Sequence, residues 1–403
     1  MRIVFFTHPA FLNSQSMPRF ATMLAEGMKG KGHEVELWNP EAFFYKAPVP
    51  DKLKKWMGYL DQFIAFPLKV RKALKQQPVD TLYVFTDHAL GPWVPLVADR
   101  PHVIHCHDFL AQRSAMGEIP ENVTGITGRK YQEFIRNGYK RGQNFISVSK
   151  KTEQDLLFFL NRKPRFSTVI YNGLNSGFQP LQPQRVRQSI QAETGIDVSN
   201  GYLLHVGGNQ WYKNRVGVVK IYKEWRAQYQ QRLPLLLIGA APTAGLLEEA
   251  SASDYSEDIY FLVGKGDDFV QNAYAGATLF LFPSLAEGFG WPIAEAMASG
   301  CPVITTNEAP MTEVGGIAAS YIPKMPHDTA ELREWLKIAA KVLQETVNLS
   351  VEAREAIINS GYLNIKKFDL DQALNLVEQA YQNILADKQF YESVIRDRKY
   401  GPS

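Results

Sequence analysis

Short apolar runs of four or five residues recur along the whole chain, separated by longer stretches with helical periodicity. A strand that reads as continuously apolar is buried on both faces. Alternation of such strands with helices predicts parallel, doubly wound sheets. In the first half the runs fall at residues 3–7, 81–85, 102–106, 144–148 and 168–171, and residues 34–38 alternate like a second strand. Residues 17–31 read as the first helix, with Ser16 as N-cap, Pro18 in the first turn and Gly32 at the end. The pattern restarts at 202–206, 235–238, 259–262, 278–282 and 302–305. Between the halves, residues 172–184 are rich in Asn, Gly, Gln and Pro and mark a boundary. The expected organisation is an α/β chain with an N-terminal Rossmann-like domain at 1–180 and a second at 181–380.

At 403 residues the chain is long enough for two or three domains. Its charge, 44 Lys+Arg against 41 Asp+Glu, is too mild to point to nucleic acid as a partner. That charge is unevenly placed. Residues 1–180 carry 24 basic and 15 acidic side chains, a net of +9, and residues 181–403 carry 20 and 26, a net of −6. The basic half suits an anion or an acidic membrane surface, or is ordinary surface variation. Two cysteines, Cys106 and Cys301, build neither a disulfide framework nor a paired-cysteine zinc site. The apolar run at the N-terminus is too short for a signal peptide, and no run reaches the ~18 residues of a membrane span. The expectation is a cytoplasmic protein, peripheral at the inner face of a membrane if it meets one.

That option rests on residues 53–66, where Leu53, Trp56, Met57, Leu60, Phe63 and Ile64 fall at helical spacing. From 51 to 75 there are seven Lys/Arg and two Asp, a net of +5. An interfacial helix on anionic lipid reads this way. So does a core helix with a solvated basic face, the commoner case in soluble domains.

The most informative stretch runs from Leu279 to Gly316: L-F-L-F-P-S-L-A-E-G-F-G-W-P-I-A-E-A-M-A-S-G-C-P-V-I-T-T-N-E-A-P-M-T-E-V-G-G. A buried strand ends at Pro283-Ser284. The loop Glu287-Gly288-Phe289-Gly290 follows, and Pro292 then suits a helix first turn. A glycine loop feeding a helix N-terminus at the carboxyl end of a parallel strand is where open α/β sheets bind ligands. Glu295 in that helix would repel phosphate, so a neutral diol such as ribose fits it better. Glu287 would meet the part of the ligand lying over the glycines.

This pattern, P-S-x-x-E-G-F-G-x-P-x-x-E-A-M-A-x-G-x-P-V-I with seven residues between Glu287 and Glu295, resembles glycosyltransferase family 4, retaining enzymes of GT-B fold. The likeness is strongest over about residues 200–320. It implies two Rossmann-like domains facing across a cleft, with a C-terminal helix, residues 381–403, crossing back to the first domain. It implies that Glu295 holds the nucleotide ribose, and that Glu287 and the amides of Gly288, Phe289 and Gly290 hold the donor sugar.

In H-V-G-G-N-Q-W-Y-K-N-R, Lys213 matches the family lysine that neutralises the donor diphosphate, beside the Gly207-Gly208-Asn209 turn. Arg215 stands near the family arginine without matching its position. In I-H-C-H-D, His107 matches a histidine that reaches the donor sugar. His105 and Asp108 belong to the same neighbourhood. Val263 and Gly264 lie where backbone groups read the base. The usual Gly-rich first loop is absent: residues 7–18 hold no glycine, and Ser14 and Ser16 are the hydroxyls available in its place, unless the loop serves the acceptor.

The resemblance implies transfer from a nucleotide-sugar, UDP ahead of GDP, to an acceptor sugar, glycolipid or polysaccharide. Lys213 and the turn would stabilise the leaving diphosphate, which takes the acceptor proton. Glu287 would orient sugar hydroxyls. No metal is expected, and Asp369-Leu370-Asp371 is a chance D-x-D. Trp56, Trp93 and Trp291 either stack on sugars or pack in the core. A nucleotide-sugar epimerase of the same architecture and a silent nucleotide-sugar-binding scaffold are the alternatives.

Overall fold

A computed structural model describes residues 1–12, 16–387 and 391. The chain divides into two compact units, one formed by residues 1–171 and 371–403, the other by 172–370. The return to the first unit therefore starts about ten residues before Tyr381, inside the helix Leu370–Ala386.

The first unit holds β1 (Arg2–Phe6), β2 (Glu34–Trp38), β3 (Leu82–Phe85), β4 (His102–Cys106), β5 (Asn144–Ser147) and β6 (Phe166–Val169). All pairings are parallel, in the order β2-β1-β3-β4-β5-β6. β1, β3 and β4 lie in the middle. β3 and β4 are buried along their whole length and β1 from Ile3 onward, which is why they read as unbroken apolar runs. The chain reverses its direction of progress across the sheet between β1 and β3, so a crevice opens at their carboxyl ends.

Helices cover both faces. The helix Ser16–Gly30 starts at the residue expected to cap it. Ser14 lies outside the described residues, and so does the stretch of the expected C-terminal helix at 388–390 and 392–403. Residues 51–73 form one helical rod, Asp51–Leu60 and Phe66–Ala73, joined by a π turn at Asp61–Ala65. Such a turn inserts one extra residue and rotates the stripe beyond it. Phe66 and Val70 reach the core while Leu53, Trp56, Ile64 and Leu68 stay exposed. The reading of this stretch as a core helix therefore holds only for its second half. Trp93 is a core residue, its indole N–H donating to the Gln62 carbonyl at 2.8 Å, and no sugar platform.

The segment that completes this unit is anchored by polar contacts. Tyr381 is buried, its hydroxyl 2.8 Å from His105 Nε2. Glu378 pairs with Lys31 and His33, and Leu374 sits where a Cβ on Gly27 would fall.

The second unit holds β7 (Leu203–Gly207), β8 (Leu235–Gly239), β9 (Ile259–Val263), β10 (Leu279–Phe282), β11 (Val303–Thr306) and β12 (Ala319–Ile322). They are parallel, in the order β12-β11-β10-β7-β8-β9. β12 was not among the expected strands. It is an edge strand buried only at Ile322, and its four residues, Ala-Ser-Tyr-Ile, hold no apolar run. β7 and β10 are the central pair, so the loops after them meet at the switch point of this sheet.

Candidate functional site

The site in the second unit is built from the loops after β7 and β10. Gly207 ends β7 and pairs with Gly239 at the end of β8. A Cβ on Gly239 would fall 2.1 Å from the Gly207 carbonyl oxygen, so only glycine lets the two strand ends approach. The chain then turns through Gly208 and Asn209 into a 3-10 turn, Trp211–Lys213. Asn209 donates to Ala241 O at 2.6 Å and accepts from Arg215 Nη1 at 2.6 Å. Arg215 is buried, also donates to Ala240 O at 2.8 Å, and keeps Nε and Nη2 without a hydrogen-bond partner. Asn214 caps the helix Arg215–Tyr229 by accepting from Gly217 N at 3.1 Å.

After β10 the chain passes Pro283 and Ser284 to Glu287. Lys213 Nζ lies 2.8 Å from Glu287 Oε1, and the Ser284 hydroxyl lies 2.6 Å from the same oxygen. The ammonium also sits over the Phe282 and Tyr212 rings, at 5.0 and 5.4 Å from their centroids. Lys213 and Glu287, assigned to different ends of a donor from the sequence, thus hold one another.

Gly290, at φ +106°, turns the loop into the helix Trp291–Ala298. A side chain there would be strained, and the Ile293 amide closes the turn by donating to Gly290 O at 3.0 Å. Phe289 is buried against Trp291 and Phe368. Glu295 stands half-buried, and the Tyr274 hydroxyl donates to its Oε2 at 3.1 Å. Burial, then the neighbouring Glu295 charge, hold the Tyr274 hydroxyl well above its ordinary range, so it stays a donor and fixes the carboxylate. Val263 is half exposed at the end of β9 and Gly264 has φ +72°.

His107 lies in the first unit, at the carboxyl end of β4. Its Nε2 donates to Thr86 O at 2.9 Å, and Phe20 meets its ring at 4.3 Å. Burial holds the ring below the ordinary histidine range, so it is neutral at pH 7 with its remaining lone pair on Nδ1. His105, buried against Tyr381 and lowered by burial to about 3, is a structural residue.

The structure adds groups that sequence reasoning did not single out. In the first unit, Asp87 Oδ2 lies 2.9 Å from His8 Nε2 and Oδ1 lies 3.0 Å from His88 Nδ1. Burial alone would raise this carboxyl. His88, then His8, more than offset it and hold Asp87 well below its usual range. The cluster stands at the carboxyl ends of β1 and β3. In the second unit, Ser284 and Tyr274 are the partners that orient Glu287 and Glu295. The only sequence signal for these groups was their place just after, or packed beneath, a buried strand.

Two parallel six-stranded sheets, each with loops gathered at a switch point, make a GT-B fold, and this fold extends to solved structures. Anabaena HepE, crystallised with UDP and glucose, matches with a TM-score of 0.68 at 16% identity, covering 95% of this chain and 99% of that one. The model of "Glycosyl transferases group 1" matches residues 186–318, and that of "Glycosyltransferase Family 4" matches residues 17–178. The chain belongs to this family, the family 4, group 1 glycosyltransferases. Among curated relatives, O-antigen chain mannosyltransferase B of Escherichia coli is 29% identical over 187 residues, 45% of this chain and 46% of that protein. N-acetyl-alpha-D-glucosaminyl L-malate synthase of Bacillus anthracis is 29% identical over 392 residues, 91% and 93% of the two chains. The chain spans about half or less of the length of several of the mannosyltransferases it matches.

Proposed function

We propose that this chain is a retaining glycosyltransferase that moves a hexosyl unit from a nucleotide-sugar to an acceptor hydroxyl in bacterial-type polysaccharide or glycolipid synthesis. The observation that carries this reading is the lock of Lys213, Glu287 and Ser284 beside the Gly288–Gly290 loop, with Glu295 held by Tyr274 one helical turn further on. A cation, a glycine loop and pre-oriented carboxylates in one loop cluster fit a diphosphate, a sugar and a ribose.

In this reading Lys213, the Gly207–Asn209 turn and the amides at Gly290 stabilise the negative charge that grows on the departing diphosphate. A nearby cation and preset dipoles act where charge develops, so they favour the transition state over the bound donor. The bond from the anomeric carbon to the phosphate oxygen breaks, and a bond from that carbon to the acceptor oxygen forms on the same face. The acceptor proton passes to the leaving phosphate. Glu287 orients sugar hydroxyls and faces the positive charge near the anomeric carbon. Neutral His107 offers a hydrogen-bonding ring nitrogen to a sugar hydroxyl. UDP is placed ahead of GDP, supported by HepE, whose structure holds UDP and glucose. The relatives that act on O-antigen chains support a polysaccharide acceptor. No described helix is long and apolar enough to cross a membrane, and a lipid-linked acceptor would be met by peripheral contact with an anionic surface. Metal independence is part of the proposal.

The test is a melting and calorimetric screen of UDP, GDP, ADP and their sugars, with a chelator present, on wild type and Glu295→Ala. A ligand at 100 times its Kd stabilises by about 2.7 kcal/mol, which a melt resolves. One nucleotide should bind wild type and lose most of its affinity in the variant. A changed sugar left on the nucleotide without any acceptor would instead identify an epimerase. Binding by no nucleotide would overturn the transferase in favour of a scaffold.

A further inference from the structure

The first unit carries an aromatic surface that continues outward from its core, which it joins at Tyr131. On the helix Asp51–Leu60, Trp56 is 58% exposed and meets Tyr59 edge-on, with ring centroids 5.8 Å apart. Tyr59 stacks on Tyr131 of the helix Ile126–Tyr139 at 5.6 Å, and Phe63 meets Phe134 at 5.3 Å. Two helices from distant parts of the sequence thus share one aromatic seam. Its outer members Ile64 and Phe134 remain 53% and 46% exposed. Scattered exposed apolar residues need no explanation, but a contiguous seam does.

Cations frame it. Lys52 lies one turn from Trp56, Lys55 holds its Nζ 5.8 Å from the Tyr59 centroid, and Lys130 lies one turn from Phe134. All three lysines are exposed and pair with no carboxylate among the described residues. Of the acids nearby, Asp61 is turned inward, accepting from Phe44 N and Tyr45 N. Asp51 and Glu133 stay at the surface, outnumbered by the bases of residues 51–75 and 126–141. Tryptophan and tyrosine rings with a lysine border match the boundary of an anionic bilayer, where rings sit at headgroup depth and ammonium groups meet phosphates.

We propose that this seam, centred on Trp56, Phe63 and Phe134 and bordered by Lys52, Lys55 and Lys130, docks the chain on an anionic lipid surface. The inference gives a location to the membrane contact in the functional reading above, and rests on that reading only for the purpose of the contact. A second copy of this chain is disfavoured as the occupant, because two such faces would bring lysine borders together.

The test uses the whole chain and sedimentation with vesicles, without nucleotide. The vesicles are equimolar phosphatidylglycerol and phosphatidylcholine, or phosphatidylcholine alone. Wild type should pellet with the anionic vesicles, weakly with the neutral ones, and less as salt rises from about 0.1 M to about 1 M. Each lysine near such a surface contributes about fivefold in partitioning, so Lys52→Gln/Lys55→Gln/Lys130→Gln should lose on the order of 100-fold. Trp56→Ser/Phe134→Ser, changed only at exposed positions, should lose binding to both vesicle types. The control Lys337→Gln/Lys341→Gln, in exposed positions of the second unit, should bind like wild type. Wild type that ignores anionic vesicles, or variants that bind like wild type, would overturn the proposal. So would a dimer in sedimentation equilibrium that the Trp56→Ser/Phe134→Ser change dissolves. Nucleotide binding measured on Glu295→Ala is independent of all these outcomes, so failure of the docking surface and failure of the transferase reading are told apart.

Discussion

Replacing Lys213 by methionine keeps most of the side-chain volume and removes the charge that faces Glu287. The pair is 2.8 Å apart, with side chains 14% and 8% exposed. At that separation and an effective dielectric near 20 the gross attraction is about 6 kcal/mol. Desolvation of both ions cancels much of it, so the intact pair is a modest net stabiliser. Removing one partner is different, because Glu287 is left as a nearly buried carboxylate with the Ser284 hydroxyl as its hydrogen-bond partner among the described residues. The expected loss is about 3 kcal/mol. For a unit of this size each kcal/mol moves the midpoint by about 2–4 °C, so the transition of the second unit should fall by roughly 6–12 °C in Lys213→Met. The double variant Lys213→Met/Glu287→Gln leaves no unpaired charge and keeps an acceptor for Ser284. It should recover most of the loss. Turnover should not recover, falling on the order of 100-fold or more in both. Calorimetry of the four proteins closes the cycle. A single variant that melts with wild type, or a double variant no more stable than Lys213→Met, would show that the two charges do not depend on each other.

Three further expectations concern the first unit and the buried histidines. Asp87→Asn removes a buried carboxylate that accepts from the Ala89 amide and pairs with His8, so stability drops by about 2 kcal/mol at pH 7, and the carboxyl it removes is one held below its usual range. That contribution exists above the unfolded value near pH 4 and fades below it, so denaturation curves of variant and wild type should converge in acid. Tyr381→Phe leaves the buried His105 Nε2 without its partner and should cost about 1–3 kcal/mol in urea unfolding; a smaller loss would mean the hydroxyl contact is dispensable. His102, His105 and His205 are buried and neutral, lowered to about 4, 3 and 3. The unfolded chain takes up their protons below about pH 6.5 while the folded chain refuses them, so each removes about 2 kcal/mol of stability by pH 5. A melting profile flat from pH 7 to 5 would contradict their neutrality.

The central strands were legible because a strand buried on both faces has no polar positions to confuse its apolar run, and β2 was legible by its alternation. β12 was hidden because Ala-Ser-Tyr-Ile is too short and mixed to show a run or an alternation. The glycine loop and both glutamates were legible for a related reason, since backbone approach and helix starts demand particular residue types locally. Their supports were not. Tyr274 precedes Glu295 by 21 residues and Lys213 precedes Glu287 by 74, and no periodicity links side chains that meet through a sheet. His8 and Asp87 are 79 residues apart and meet only because β1 and β3 are neighbours. The stripe at residues 53–66 gave the correct helix and the correct apolar face. Periodicity names a face without naming what covers it, and an inserted π turn split that face between core and solvent.

The first unit is not continuous in the chain, and this bears on its birth as well as its stability. A ribosome finishes residues 1–171, then makes the whole of 172–370, and only then supplies Leu374, Glu378 and Tyr381. At about 5–20 residues per second that interval lasts roughly 10–40 s. Throughout it, the seat prepared by Gly27, His33 and His105 stands open, a hydrophobic slot with two histidines at its edge. The nascent first unit must therefore wait as an incomplete body while its neighbour folds without interruption. A chain cut after residue 370 would carry a finished second half and a first half missing its keystone.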